Sequence, residues 1–185
     1  FQDYLNKNFV LILADRENKR GTEMFRKFRI TGTPTTLILD PDGTEIDWHV
    51  GYLPPPEKFL EKVRLSRDGV DTFKFWSDAH AKNPKNAEAA FKLAQKYDRR
   101  NVRDKALDLY EQAVALDPEG KSGTTDYGKS QVTYTQYAEF SIGILSLFSG
   151  PRSTEPLKAF LKKAPEGVLL RDAYRRPAGY YRYSG

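Results

Sequence analysis

Few side chains in this sequence are suited to covalent chemistry, and their spacing narrows the choice further. Cysteine is absent and histidine occurs twice. Without a thiol the chain has no disulfide, no thiol nucleophile and no thiolate metal site. His49 lies on the expected strand Thr44 to Val50 and reads as a surface or second-layer strand residue rather than a ligand. There is no histidine pair at metal spacing and no serine nucleophile elbow, so no residue is assigned to catalysis, a metal or a cofactor. One stretch, Gly123-Thr124-Thr125-Asp126-Tyr127-Gly128-Lys129-Ser130, spells a phosphate-binding loop. That chemistry needs backbone N–H groups cradling phosphate between a buried strand and a helix. Here Leu116-Asp117-Pro118 ends a helix upstream and no apolar strand intervenes, so a flexible inter-helix loop is expected. Near the C-terminus Arg171, Arg175, Arg176 and Arg182 interleave with Tyr174, Tyr180, Tyr181 and Tyr183. Such a pattern can stack on a single-stranded nucleic acid. No nucleic-acid motif accompanies it, and the favoured reading is a terminal helix with tyrosines inward and arginines in water.

Charge distribution bears on the same question. The net charge of +5 over 185 residues is confined to residues 152–185, which hold eight basic and three acidic side chains. Residues 1–66 and 67–151 are each neutral in balance. No apolar run approaches the roughly 20 residues needed to span a bilayer. Hydrophobic content of 39% and charged content of 30% fit a globular chain of one or two domains. Nothing in the composition fixes the compartment, so periplasmic, secreted and cytoplasmic settings all stay open.

The elements that would position these residues are centred on Arg29 to Gly43. Thr22 to Phe28 places Met24, Phe25 and Phe28 on one helical stripe. Gly32 offers a bend, and Thr33-Pro34 leads into the strand Thr35 to Asp40. The Thr33–Pro34 bond is a candidate for the cis form. Pro41-Asp42-Gly43 makes a turn, with glycine free to take positive φ, and Thr44 to Val50 returns as a second strand. Trp48 and Val50 share one face and His49 the other. Phe9 to Ala14 is continuously apolar, as in a central strand covered on both faces. After Pro54-Pro55-Pro56, a stiff connection, Glu57 to Leu65 reads as a helix with Phe59, Leu60 and Val63 inward.

Taken in order from about Phe9 to Val63, these features resemble the second half of a thioredoxin fold. The resemblance implies an incomplete mixed sheet. It also implies that Thr33 and Pro34 form the loop that lies beside the redox cysteines and pairs with extended substrate. The Cys-x-x-Cys pair of that family is missing, so the chain reads as a fragment or natural truncation. As it stands, Pro34 is a turn proline; in a longer parent, Thr33 and Pro34 would be the substrate loop. Asp15 is read as a strand-end polar residue. A half sheet would expose an edge and a core face. Pairing with a second copy or an N-terminal piece, or packing of the helical domain onto the gap, is therefore expected.

Arg67-Asp68-Gly69 marks the expected domain boundary, beyond which helices dominate. Thr72 to Lys82 carries Phe73, Trp76 and Ala79 on one stripe. Ala90, Leu93, Ala94, Tyr97, Ala106, Tyr110, Ala113, Leu116 and Pro118 then resemble a tetratricopeptide repeat, whose period is about 34 residues. A helix from about Val132 to Phe148, an amphipathic helix Glu155–Lys163, and a last helix Val168–Tyr181 bent or split at Pro177 look repeat-like. The expected architecture is α/β plus all-α: a partial thioredoxin-like domain at 1–66 and tetratricopeptide-like antiparallel helix pairs at 67–185. The function expected is that of a portion of a bacterial-type protein related to thiol–disulfide oxidoreductases, itself redox-inactive, binding protein or peptide through the helices. The alternative is a non-catalytic interaction scaffold that never carried cysteines.

Overall fold

A computed structural model describes residues 2–149, 152–163 and 167–183, with side chains up to Arg175 in the last stretch. The chain divides into two compact units, 1–75 and 76–185.

The first unit begins with α1 (Gln2–Asn8) and an extended segment, then α2 (Lys19–Lys27), β1 (Thr35–Leu39), β2 (Glu45–Val50) and α3 (Pro56–Arg67). Asn18 caps α2 by accepting the Gly21 N–H at 2.8 Å. The helix closes with Ile30 N–H on Phe25 O and Arg29 N–H on Arg26 O, a Schellman arrangement whose left-handed residue is Arg29 at φ 52°. The bend expected at Gly32 therefore falls three residues earlier, because the helix end and not the loop needs the left-handed turn. β1 and β2 pair antiparallel from Thr35↔Val50 to Leu39↔Glu45, with a bulge beside Ile38 and Leu39. Gly43 takes φ 84° in the tight turn, as expected, and the Asp42 carboxylate accepts the Thr44 N–H. Paired residues Ile38 and Asp47, and Thr36 and His49, share the face that α3 covers. Ile38, Val63, Asp47 and Ser66 are buried there or in α3, and Trp48 is buried on the opposite face.

Phe9–Ala14 does not form the expected strand. Its chain is irregular, and Val10 and Leu13 are 90% and 98% exposed. Among the described residues the backbone groups of Val10 to Ala14 make no hydrogen bond. A strand exists only through a neighbour, and β1 has only β2 among the described residues. The expected mixed sheet is accordingly a two-stranded antiparallel hairpin.

The second unit contains the rest of α4 (Phe73–Lys82), then α5 (Ala87–Arg99), α6 (Arg103–Leu116), β3 (Thr124–Tyr127), β4 (Ser130–Thr133), α7 (Tyr134–Leu145), α8 (Glu155–Lys163) and α9 (Val168–Tyr183). Helices α5 and α6 are joined by a short turn with Asn101 at φ 55°. Gln112, late in α6, donates to Pro84 O just before α5, so the two helices run antiparallel. Ala90, Leu93, Ala94, Ala106, Tyr110 and Ala113 are buried between them and their neighbours. The small residues let the backbones approach, and Phe91 and Tyr110 fill the space with ring centroids 6.0 Å apart. Next, α7 packs on α6 and α8 on α7. Phe140, Ile144, Leu147, Leu157, Phe160, Leu169 and Ala173 form a second core among α7, α8 and α9. α9 is continuous from Val168 to Tyr183, and the side chain of Pro177 lies outside the described residues.

Candidate functional site

The only loop to which the sequence assigns a binding role is that of Thr33 and Pro34. It is held from both sides. Thr35 Oγ1 donates to Gly32 O at 2.7 Å, and Gly51 N–H donates to Pro34 O at 2.8 Å. The Thr33–Pro34 peptide is cis. Thr33 and Pro34 are exposed, and Thr33's own N–H and C=O make no hydrogen bond among the described residues. Val50 and Tyr52, at the end of β2, are 49% and 75% exposed, and Val50 packs against Gly32. The loop thus offers free backbone groups beside apolar side chains. It carries no acid, base or thiol, so its chemistry is limited to pairing and contact.

The other residues with chemical potential are engaged in structure. His49 Nε2 lies 2.9 Å from Ser66 Oγ, tying β2 to α3. Asp47 shares that strand face, but Ser66 is buried on the side of α3 that faces the hairpin and has no access for a substrate. This arrangement of serine, histidine and aspartate types is a packing contact. Asp15 is exposed and belongs to a turn, not a strand end: its carboxylate accepts the Glu17 N–H and its carbonyl the Asn18 N–H. Gly21 lies so close that a Cβ there would collide with the Asp15 carbonyl.

Gly123–Ser130 is an ordered β-hairpin, not a flexible loop. β3 and β4 pair from Thr124↔Thr133 to Tyr127↔Ser130, leaving Gly128-Lys129 as a two-residue turn with Gly128 at φ 64°. The glycine at the first turn position matches a type II′ connection. Backbone groups that would cradle a phosphate are in the ladder, and the next helix begins only at Tyr134. The sequence signal for the hairpin is β-branched Thr124-Thr125 and Val132-Thr133 flanking Gly-Lys. Tyr127 on this hairpin donates to Asp172 of α9 at 2.6 Å. Thr133 and Gln136 then form a capping box at the start of α7.

In the basic stretch Arg171 and Arg175 are exposed, as expected, but so is Tyr174, at 64%. Leu169 and Ala173 take the inner face of α9, and position 174 lies about 100° further round the helix. The side chains of Arg176, Tyr180, Tyr181, Arg182 and Tyr183 are outside the described residues. Among the described residues no cluster of three or more histidine, cysteine or acidic side chains is placed to hold a metal. No helix among them is long and apolar enough to cross a membrane.

Comparison with known proteins bears on the first unit. Residues 1–66 match the family model of a thioredoxin-like domain. The N-terminus carries a thioredoxin-like domain. No curated protein and no solved structure matches the chain. The match spans the Thr33–Pro34 loop, the β1–β2 hairpin and α3.

Proposed function

We propose that this chain is a redox-inactive relative of the thiol–disulfide oxidoreductases that works by binding protein. The domain division proposed is a partial thioredoxin-like domain at 1–66 and a tetratricopeptide-like helical domain at 67–185. The observation carrying the reading is a thioredoxin-like domain in a chain with no cysteine. Its loop at Thr33 and Pro34 keeps an open backbone beside Val50 and Tyr52, suited to pairing with an extended peptide. The antiparallel α5–α6 pair, with alanines at the close approach, supports a tetratricopeptide-like second domain that binds a protein or peptide. The unpaired segment Val10–Leu13 is a further contact, taken by a second copy or by an N-terminal strand.

Dithiothreitol-driven insulin reduction tests the redox half: turnover should equal the blank, and a faster rate contradicts the proposal. Titration of an extended peptide, followed by backbone amide NMR, tests the loop. Thr33 should be among the amides that shift, and Tyr52→Ser should weaken the response. A response that leaves residues 32–35 unmoved removes the loop from the proposal.

A further inference from the structure

Lys92 is placed unusually for a helical lysine. It stands four residues after Glu88 on α5, the spacing and order that favour an ion pair along a helix. No such pair forms. The Lys92 ammonium instead lies over two aromatic rings, 5.4 Å from the Tyr134 centroid and 6.0 Å from that of Trp76. Among the described residues it has no carboxylate partner. Glu88 accepts a hydrogen bond from the Tyr134 hydroxyl at 3.1 Å. The acid therefore holds the ring, and the rings hold the cation.

The site is built, not incidental. Tyr134 is buried, stacked on fully buried Phe91 at 4.4 Å, and its backbone N–H donates to Gly123 O. Gly123 has no Cβ because one would meet the Tyr134 ring, 2.6 Å from Cε2. Trp76 supplies the second ring from α4, and Lys92 remains half-exposed, so its place is reachable from solvent. Two ring faces are the elements that recognise ammonium groups, and Glu88 fixes one of those rings.

We propose that Trp76 and Tyr134, the latter held by Glu88, form a two-ring cage for an ammonium group, which Lys92 fills from within the chain. A ligand carrying a quaternary or alkylated ammonium displaces Lys92, whose tethered side chain acts as a competitor. The ligand's source is either a small free amine or a modified lysine of a partner; both present the same cation.

The test uses the full chain and two probes, choline and an Nα-acetyl-Nε-trimethyllysine amide, against the uncharged choline isostere 3,3-dimethylbutan-1-ol. Binding is read from the ring-current shift of the probe's methyl protons. Lys92→Ala should bind a cationic probe roughly tenfold more tightly than the parent chain, and Trp76→Leu in that background should abolish binding. Stronger binding of choline identifies a free amine, and stronger binding of the lysine derivative a partner side chain. Lys92→Gln, which keeps most of the stem and a good helix former, gives the same comparison should Lys92→Ala lose its fold. Equal binding of the neutral isostere, binding that survives loss of Trp76, or no binding once Lys92 is replaced would each overturn the proposal.

Discussion

Arg29 holds a left-handed backbone, φ 52°, at the end of α2, where glycine is the usual occupant. A Cβ in that region costs roughly 1 kcal/mol. Arg29→Gly should therefore raise the stability of the first unit by about 0.5–1 kcal/mol in urea unfolding, and a loss would show that the arginine side chain contributes more than the strain removes. Asp117 makes a second residue-scale case. The Ser122 hydroxyl, with the N–H groups of Ser122, Lys121 and Gly120, holds its carboxyl below its ordinary value of 3.8. A carboxylate whose folded-state pKa is depressed adds stability above its unfolded value and loses it as pH falls through the folded one. Asp117→Asn should accordingly be less stable than the parent at pH 7, with the gap closing in acid well below the ordinary value of 3.8. Urea melts at the two pH values check this, and a gap that persists in acid would assign the effect to geometry instead of charge. Neither feature was open to inspection of residue types: Arg29 reads as a solvated helix residue, and Asp117 as one letter of a helix stop.

The helices of the second unit depend on close approach at a few small residues. Gly143 in α7 is buried, and a Cβ there would lie 2.9 Å from the Leu157 Cα of α8. Backbone cannot swing aside as a side chain can, so Gly143→Ala should cost about 1–3 kcal/mol, seen as a lowered melting temperature of the helical unit. An unchanged melt would mean that α8 shifts freely. The alanine pattern at 90, 94, 106 and 113 was legible in the sequence because helical spacing alone puts small residues on one seam. The β3–β4 hairpin was not, since each of its strands is four residues long and mostly polar, with no alternation of apolar side chains to mark it. The capping of α7 by Thr133 and Gln136 likewise depended on where β4 ended.

For the molecule as a whole, the feature that governs association is the apolar segment Val10 to Leu13. Its side chains and backbone both face water, a template for strand pairing. At high micromolar concentration the chain should sediment as more than a monomer. Leu11→Lys with Leu13→Lys should return it to a monomer, and a parent chain that is already monomeric contradicts self-association. By itself the sequence determined the β1–β2 hairpin, the turn at Gly43, the amphipathic helices and the lack of thiol chemistry. Each follows from local spacing or from a residue type that is simply missing. Only the tertiary structure decided that Phe9–Ala14 stays unpaired, that Gly123–Ser130 is a hairpin and that Lys92 sits between two rings. Those outcomes depend on which distant backbone or side chain is within reach, and no local pattern carries that information.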